Sequence, residues 1–176
     1  MSAAMPSTKM SATMLEALAA FPAQLAAYYA EVPADSVNWA PADWMGIPSE
    51  RFTAIEQVWH VHDVEIDGYH QRFRRVLEEE HPFLPDLGSE ALARERGYAS
   101  RDAAPAIEGF RVARERTVAM LSALDAKQLS RTALFEDYGP VTTLGLAHFL
   151  CSHDQQHLAG LQWLLGKIDA VRSGIA

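Results

Sequence analysis

A single cysteine, Cys151, is all that the 176 residues contain, so no disulfide can form within the chain. A reducing compartment is the simpler setting for such a chain. Cations are also scarce: 15 Lys and Arg stand against 23 Asp and Glu, a net charge of −8. That excess works against non-specific attraction to nucleic acid or an anionic membrane surface, both of which are polyanions. No stretch reaches the roughly 18 uncharged apolar residues of a membrane span. The alanine-rich start, "MSAAMPSTKMSATMLEALAAFPAQ", is broken by Lys9, Glu16 and Pro22. It has no basic region followed by a clean apolar core, which argues against a signal peptide. The expectation is a cytoplasmic protein that binds neither membrane nor nucleic acid. Sustained period-2 alternation is missing too, so strands are not expected.

What the chain does have is hydrophobic residues, 49% of the total, in long stretches of helical period. The length suits one domain with one core. Residues 1–10 are expected to be a flexible N-terminus, 11–170 the single domain, and 171–176 a C-terminal tail. Four helices are predicted. The first covers about 11–31, with Leu15, Leu18, Phe21, Leu25 and Tyr28 in register and Pro22 as a kink or break. The second runs from an N-cap near Ser49 to about Glu80, with Ile55, Trp59, Ile66, Tyr69, Phe73 and Leu77 as its stripe. The third begins between Asp102 and Pro105, and Ile107, Phe110, Arg114, Thr117, Leu121 and Leu124 follow the period. The fourth covers about 141–168. Between the second and third, "ALARERGYASRD" has room for a short helical turn. Four amphipathic helices predict an all-α protein, a four-helix bundle, whose long connections leave the order of up and down open.

The last predicted helix carries "HFLCSHDQQHLAGLQWLL". At about 100° per residue, His153 and His157 fall within about 40° of each other, among Leu146, Phe149, Leu150, Leu161 and Leu164. His148 falls nearly opposite, toward solvent. Two buried imidazoles side by side each need a donor and an acceptor, and protonating both sets like charges together. A divalent ion resolves this by taking one lone pair from each neutral ring. The bland reading is two core histidines bonded to a carboxylate or a carbonyl. A third ligand would come from "EQVWHVHDVEIDGYHQRF" on the second helix, which holds His60, His62 and His70. Periodicity favours His62, near the centre of the Ile55–Ile66–Phe73 stripe, and puts His60 toward its edge. Helical geometry alone does not choose between them.

Nearby groups have their own readings. Asp63 and Asp154 are candidate acceptors for imidazole N–H, although Asp154 reads better as a solvated carboxylate. Glu56, one turn before His60, is a candidate general base. Arg72, Arg74 and Arg75 could meet an anionic substrate, but a solvated face is the default. Cys151 turns away from His153 and is counted neither as ligand nor nucleophile. The pattern is not that of a zinc protease, which needs glutamate where Asp154 stands. Nor is it a di-iron carboxylate bundle, since the one Glu-x-x-His, Glu78 to His81, lies at a helix end.

"WHVHDVEIDGYHQRF", "HPFLPDLG" and "YGPVTTLGLAHFLCSHDQQHLAGLQWLL", in that order, resemble the DinB/YfiT-type superfamily of metalloproteins over about residues 10–168. The resemblance implies a four-helix bundle of up-down-down-up topology, often a homodimer. It implies a divalent ion, such as zinc, nickel, manganese or iron, held by His60, His153 and His157. Asp63 and Glu65 are later members of the run that His60 opens, and His62 is the departure from the pattern. It implies a metal-dependent enzyme acting on a small molecule, as a hydrolase or as an S-transferase using a low-molecular-weight thiol. Glu56 and Asp63 are the catalytic candidates. A non-catalytic, stress-related metal-binding module is the alternative.

Overall fold

The structure is a computed structural model that describes residues 9–175. Helix α1 spans Ala12–Ala30, and the Ser11 side chain caps it by accepting from the Met14 N–H. Met14, Leu18, Phe21 and Leu25 give it a buried face. Pro22 does not break it. Proline has no N–H to offer the Leu18 carbonyl one turn back, and that carbonyl accepts instead from Arg114 Nη1 at 3.1 Å. A helix defect is thus repaired from a neighbouring helix.

The second long helix begins at Ala54, later than expected. Its cap is Thr53, in a capping box with Glu56. Ser49 is not the cap, because its Oγ accepts a hydrogen bond from Gln57 Nε2 at 2.8 Å. This helix runs as α2 (Ala54–Asp63), a π-helical turn (Val64–Tyr69) and α3 (His70–Glu78), end to end. Then come β1 (Phe83–Leu84), α4 (Ser89–Arg96) and a 3₁₀ turn at Tyr98–Ser100, where a short helical turn was expected. Helix α5 spans Ala103–Ala123 from an Asp102 cap, and α6 is the single turn Ala126–Leu129. A hairpin of β2 (Thr132–Phe135) and β3 (Gly139–Thr142) leads into α7, Thr143–Arg172.

The small sheet was not expected. Its order is β1-β2-β3, with β1 parallel to β2 and β2 antiparallel to β3. Strands of two to four residues are too short to display a period of two. The turn between β2 and β3 holds Asp137 and Gly139 at positive φ, where glycine is at no steric cost.

Contacts give the helix directions. Leu18 meets Arg114 and Phe21 meets Phe110, so α1 and α5 run antiparallel. Trp59 meets Asp102, Glu65 meets Arg114 and His70 meets Thr117, so the second long helix runs parallel to α5. Gln57 meets His157 and His60 meets His153, so it runs antiparallel to α7. The four long helices therefore go up, down, down and up.

The apolar core is divided. One cluster includes Leu18, Tyr69, Leu121, Leu146 and Leu150. Another includes Phe21, Val61, Phe110, Leu161 and Leu164. Between them along α7 lie Asp154 and His157, and Glu65 of the π turn is joined to Asp154 through Arg114. The bundle thus carries a polar layer across its middle. At the ends, Met10 is buried, α7 continues to Arg172, and Arg172 pairs with Asp35. Residues 1–8 of the expected flexible N-terminus, and residue 176 of the expected tail, lie outside the described residues.

Candidate metal centre

Residues four apart on a helix lie one above the other on the same face, and the rings of His153 and His157 on α7 have centroids 4.3 Å apart. His60 arrives from α2 with its ring 5.2 Å from His153 and 4.4 Å from His157. The Nε2 atoms of His60 and His153 are 3.0 Å apart. One ring nitrogen from each of the three lies within 4.8 Å of the others. His60 and His157 are buried, and His153 is half-buried.

His62 is elsewhere, against the indication of the periodicity. Its Nδ1 is 2.7 Å from Asp63 Oδ1. Its ring lies on α5 at Gly109, where a Cβ would come 2.7 Å from His62 Nε2. Gly109 is therefore the space that lets His62 face α5 and leaves α7 to His60.

Burial disfavours the charged imidazole. It pulls His60 down to about 4, with Asp63 and Asp86 opposing, and pulls His153 and His157 well below the ordinary value. The neighbouring histidines push the last two further down. All three are neutral at pH 7 and each keeps a lone pair. For His157 the tautomer is defined. Its Nδ1 is 2.5 Å from Gln57 Oε1, and the Gln57 amide is oriented by its Nε2 donating to Ser49 Oγ. Nδ1 therefore carries the proton, and Nε2 turns a lone pair toward the other rings. That Nε2 is buried without a hydrogen-bond partner among the described residues, as is His153 Nδ1. Buried polar atoms almost always have partners. Three neutral imidazoles with an orphaned, inward-facing nitrogen are a donor set that fits a divalent cation.

A carboxylate absent from the sequence reading also reaches the cluster. Glu50 Oε2 is 3.3 Å from His157 Nε2, and Oε1 is 3.9 Å from His60 Nε2. Burial raises the Glu50 carboxyl, and Asp86 and Glu90 add to the rise. Glu50 stays half-exposed because it lines an open cavity of ≈ 450 Å³ with Asp86, Glu90 and Arg94. Glu50 thus stands between the cluster and that cavity, which none of the three histidines lines. The signal that could have found Glu50 is weak, since it lies in the irregular stretch before α2, where periodicity says nothing.

The two residues put forward for catalysis are engaged elsewhere. Glu56 Oε2 accepts the Thr53 N–H at 2.9 Å in the capping box. Asp63 is buried and accepts from Tyr98 Oη and Arg96 Nη1, each at 2.6 Å, beside His62. Burial pushes its carboxyl up, but these three partners more than offset that and bring it down to about 2.

Asp154 is not solvated, contrary to the sequence reading. It is 2% exposed and accepts two hydrogen bonds from Arg114, at 2.5 and 2.9 Å. Arg114 gives two more to Glu65, both at 3.0 Å, and one to Leu18 O, so all five of its N–H groups are used. Thr117 Oγ1 donates to Glu65 at 2.5 Å. Burial disfavours the Arg114 charge, and the two carboxylates more than restore it, holding its pKa above the ordinary range. This network, side by side with the histidine cluster, was missed. Its signal was an arginine at a core position of the third predicted helix, which must find carboxylates.

Arg72 is also buried, whereas Arg74 and Arg75 pair with Glu78 and Glu79 near the surface. Cys151 is half-buried, and burial raises its thiol to about 11. Among the described residues, no helix is long and apolar enough to cross a membrane.

The sequence matches the family described as the DinB superfamily over residues 17–161. No curated protein matches it. Among solved structures, the fold is similar to that of YfiT from Bacillus subtilis, at 22% identity and a TM-score of 0.76. The match covers 98% of this chain and 95% of that one. YfiT is described as a probable metal-dependent hydrolase with an unusual four-helix bundle topology.

Proposed function

The chain belongs to the DinB superfamily, and on that premise we propose that it is a metal-dependent hydrolase whose divalent ion is held by His60, His153 and His157. One observation carries the reading. Three neutral imidazoles from two helices bring their ligand atoms within 4.8 Å of one another, and the inward Nε2 of His157 has no hydrogen-bond partner among the described residues, with only the Glu50 carboxylate approaching it. Neutral ligands leave the ion its full charge and open positions. Such an ion, when bound, polarises a substrate oxygen and acidifies a water.

The chain's own groups divide the remaining work. Gln57 holds His157 in the tautomer that offers Nε2. Glu50, half-exposed beside the open cavity and made more basic by its burial, takes up the proton released by a water in the cavity. We assign this role to Glu50 rather than to Glu56, whose carboxylate caps a helix. Imidazole-rich sets suit zinc, nickel or iron better than manganese. The open cavity of ≈ 450 Å³ beside Glu50 supports an enzyme over a non-catalytic module, which needs no such opening.

Elemental analysis of the purified protein is the first test. Wild type should carry about one divalent ion per chain, and a His153→Ala, His157→Ala double variant almost none. Equal content in the two sinks the reading. With metal content unchanged, Glu50→Gln should lower kcat on a p-nitrophenyl ester by about 10²-fold or more. Turnover that appears only with a small thiol present would assign thiol transfer instead of hydrolysis.

A further inference from the structure

Arg114 and Arg72 are both buried, but only one is satisfied. Arg114 spends all five N–H groups on two carboxylates and a carbonyl. Arg72 is 5% exposed and makes one hydrogen bond among the described residues, from Nη2 to Pro85 O at 3.2 Å. Its Nε is buried without a partner. Asp86 approaches it, but at 3.8 Å, outside hydrogen-bonding range, and that carboxylate is itself half-exposed. Leaving a guanidinium buried in this condition is costly.

The surroundings nonetheless hold it in place. Its plane lies against the Tyr69 ring at 5.1 Å and the Phe135 ring at 4.5 Å. Gly68 makes room, since a Cβ there would come 3.0 Å from Arg72 Nη1. A cavity of ≈ 90 Å³ lies beside the guanidinium, lined also by Leu84, Pro85 and Leu87, by Gln71 and Arg75, and by Asp67, whose carboxylate is paired with Arg96. That is space for about three waters, the bulk of a carboxylate or phosphate group. The position is also close to the metal centre. The Tyr69 ring that carries Arg72 is 6.2 Å from the His153 ring. Asp86, its loose counter-charge, lines the same open cavity as Glu50, which reaches His157 at 3.3 Å.

We propose that Arg72 is an anion-recognition residue. Through its terminal nitrogens it takes an oxyanion group, carboxylate or phosphate, of the molecule whose other end reaches the histidine cluster, and Asp86 gives way to it. The proposal rests on the reading of that cluster as a metal centre. Arginine suits the task because its planar fork matches an oxyanion with two parallel hydrogen bonds. A preorganised, under-bonded guanidinium gains from the ligand what the fold withholds.

The test titrates zinc-loaded and zinc-free protein with inorganic phosphate and, separately, with acetate, at constant ionic strength. The readouts are the ¹⁵N resonance of the Arg72 Nε–H and calorimetry. Wild type should show a saturable shift in both forms, and the stronger of the two anions identifies the group recognised. Arg72→Met should weaken binding by about tenfold or more, from the loss of a charge-assisted pair. Arg72→Lys should fall between. Asp86→Asn, which removes the competing carboxylate without touching Arg72, should tighten binding several-fold. Zinc content should stay the same in all three. An unmoved Nε resonance, equal binding by Arg72→Met, or weaker binding by Asp86→Asn overturns the proposal. So does anion binding that disappears with the zinc, because the anion would then sit on the ion. A wild type that binds no zinc but keeps the Arg72 response leaves the anion site standing and removes only the metal reading.

Discussion

His153 and Asp154 are neighbours on α7, yet they enter two buried regions built on opposite terms. Asp154 joins Arg114, Glu65 and Thr117, where every guanidinium N–H has an acceptor and even the carbonyl freed by Pro22 is used. His153 joins His60 and His157, where two buried ring nitrogens have no hydrogen-bond partner among the described residues. A completed network ties three helices together, and the α1 backbone with them. An incomplete one leaves lone pairs for something that is not part of the chain. Within one polar layer, completeness separates groups that hold the bundle in register from groups that wait for a ligand.

The sharpest way to break this contrast is Arg114→Met. Two buried carboxylates would lose their shared partner, and removing one member of a buried ion pair costs about 3–5 kcal/mol. Urea unfolding of the metal-free protein should show that loss. In the same assay the His153→Ala, His157→Ala variant should lose less, because each ring it deletes carries one nitrogen that is already unsatisfied and no buried charge is stranded. Similar losses in the two would erase the distinction. Next in size is Gln57→Leu, which strips the acceptor from His157 Nδ1. Metal affinity should fall about 10- to 100-fold, read by competition with a chelating dye, while the metal-free form loses about 1–3 kcal/mol, the cost of leaving one buried N–H without an acceptor.

The third variant, Asp63→Asn, probes a satisfied carboxylate on the same helix as His60. Its folded pKa, about 2, lies below the model-peptide value near 3.8. The unfolded chain therefore takes up the proton first as pH falls. The stabilisation is fully present above about pH 4 and is lost as pH falls through 2. It amounts to about 2 kcal/mol at pH 7. The variant should be less stable by roughly that amount at pH 7, and the gap should close on acidification. A gap that stays constant between pH 5 and 2 would mean that the charge of Asp63 contributes nothing.

Much of the bundle was legible because its physics is local. Phe21 and Leu25, or Leu146 and Leu150, repeat at the helical period, and Ser11 and Asp102 announce the starts of their helices. His153 and His157 were legible for the same reason, since spacing of four puts two rings on one face. The choice between His60 and His62 was not. The first half of the second long helix is buried nearly all round, from Ala54 through Val61, so no side stands out as apolar. The π turn at Val64–Tyr69 then adds a residue to the winding. It shifts the faces of Ile66 and Phe73 by roughly 100° relative to Ile55. A stripe averaged across that turn points at His62, whereas the chain's contacts put His60 beside α7 and His62 against Gly109 on α5. The motif resemblance named His60 where periodicity did not. Glu50 and Gln57 escaped for a different reason, because their roles depend on a loop folding back over α2.

By itself, the sequence determined the long helices, the place of Arg114 on the apolar face of one of them, and the pair of imidazoles on the last one. Those follow from backbone geometry and the separation of apolar from polar groups, which operate over a few residues at a time. Only the tertiary structure decided which polar groups complete one another and which are left open. Arg114 finds Glu65, Asp154 and Leu18 across 49, 40 and 96 residues of chain, and His60 finds His153 across 93. Partnership at that separation is set by how the helices pack, and whether a buried lone pair has a neighbour is known only once they have.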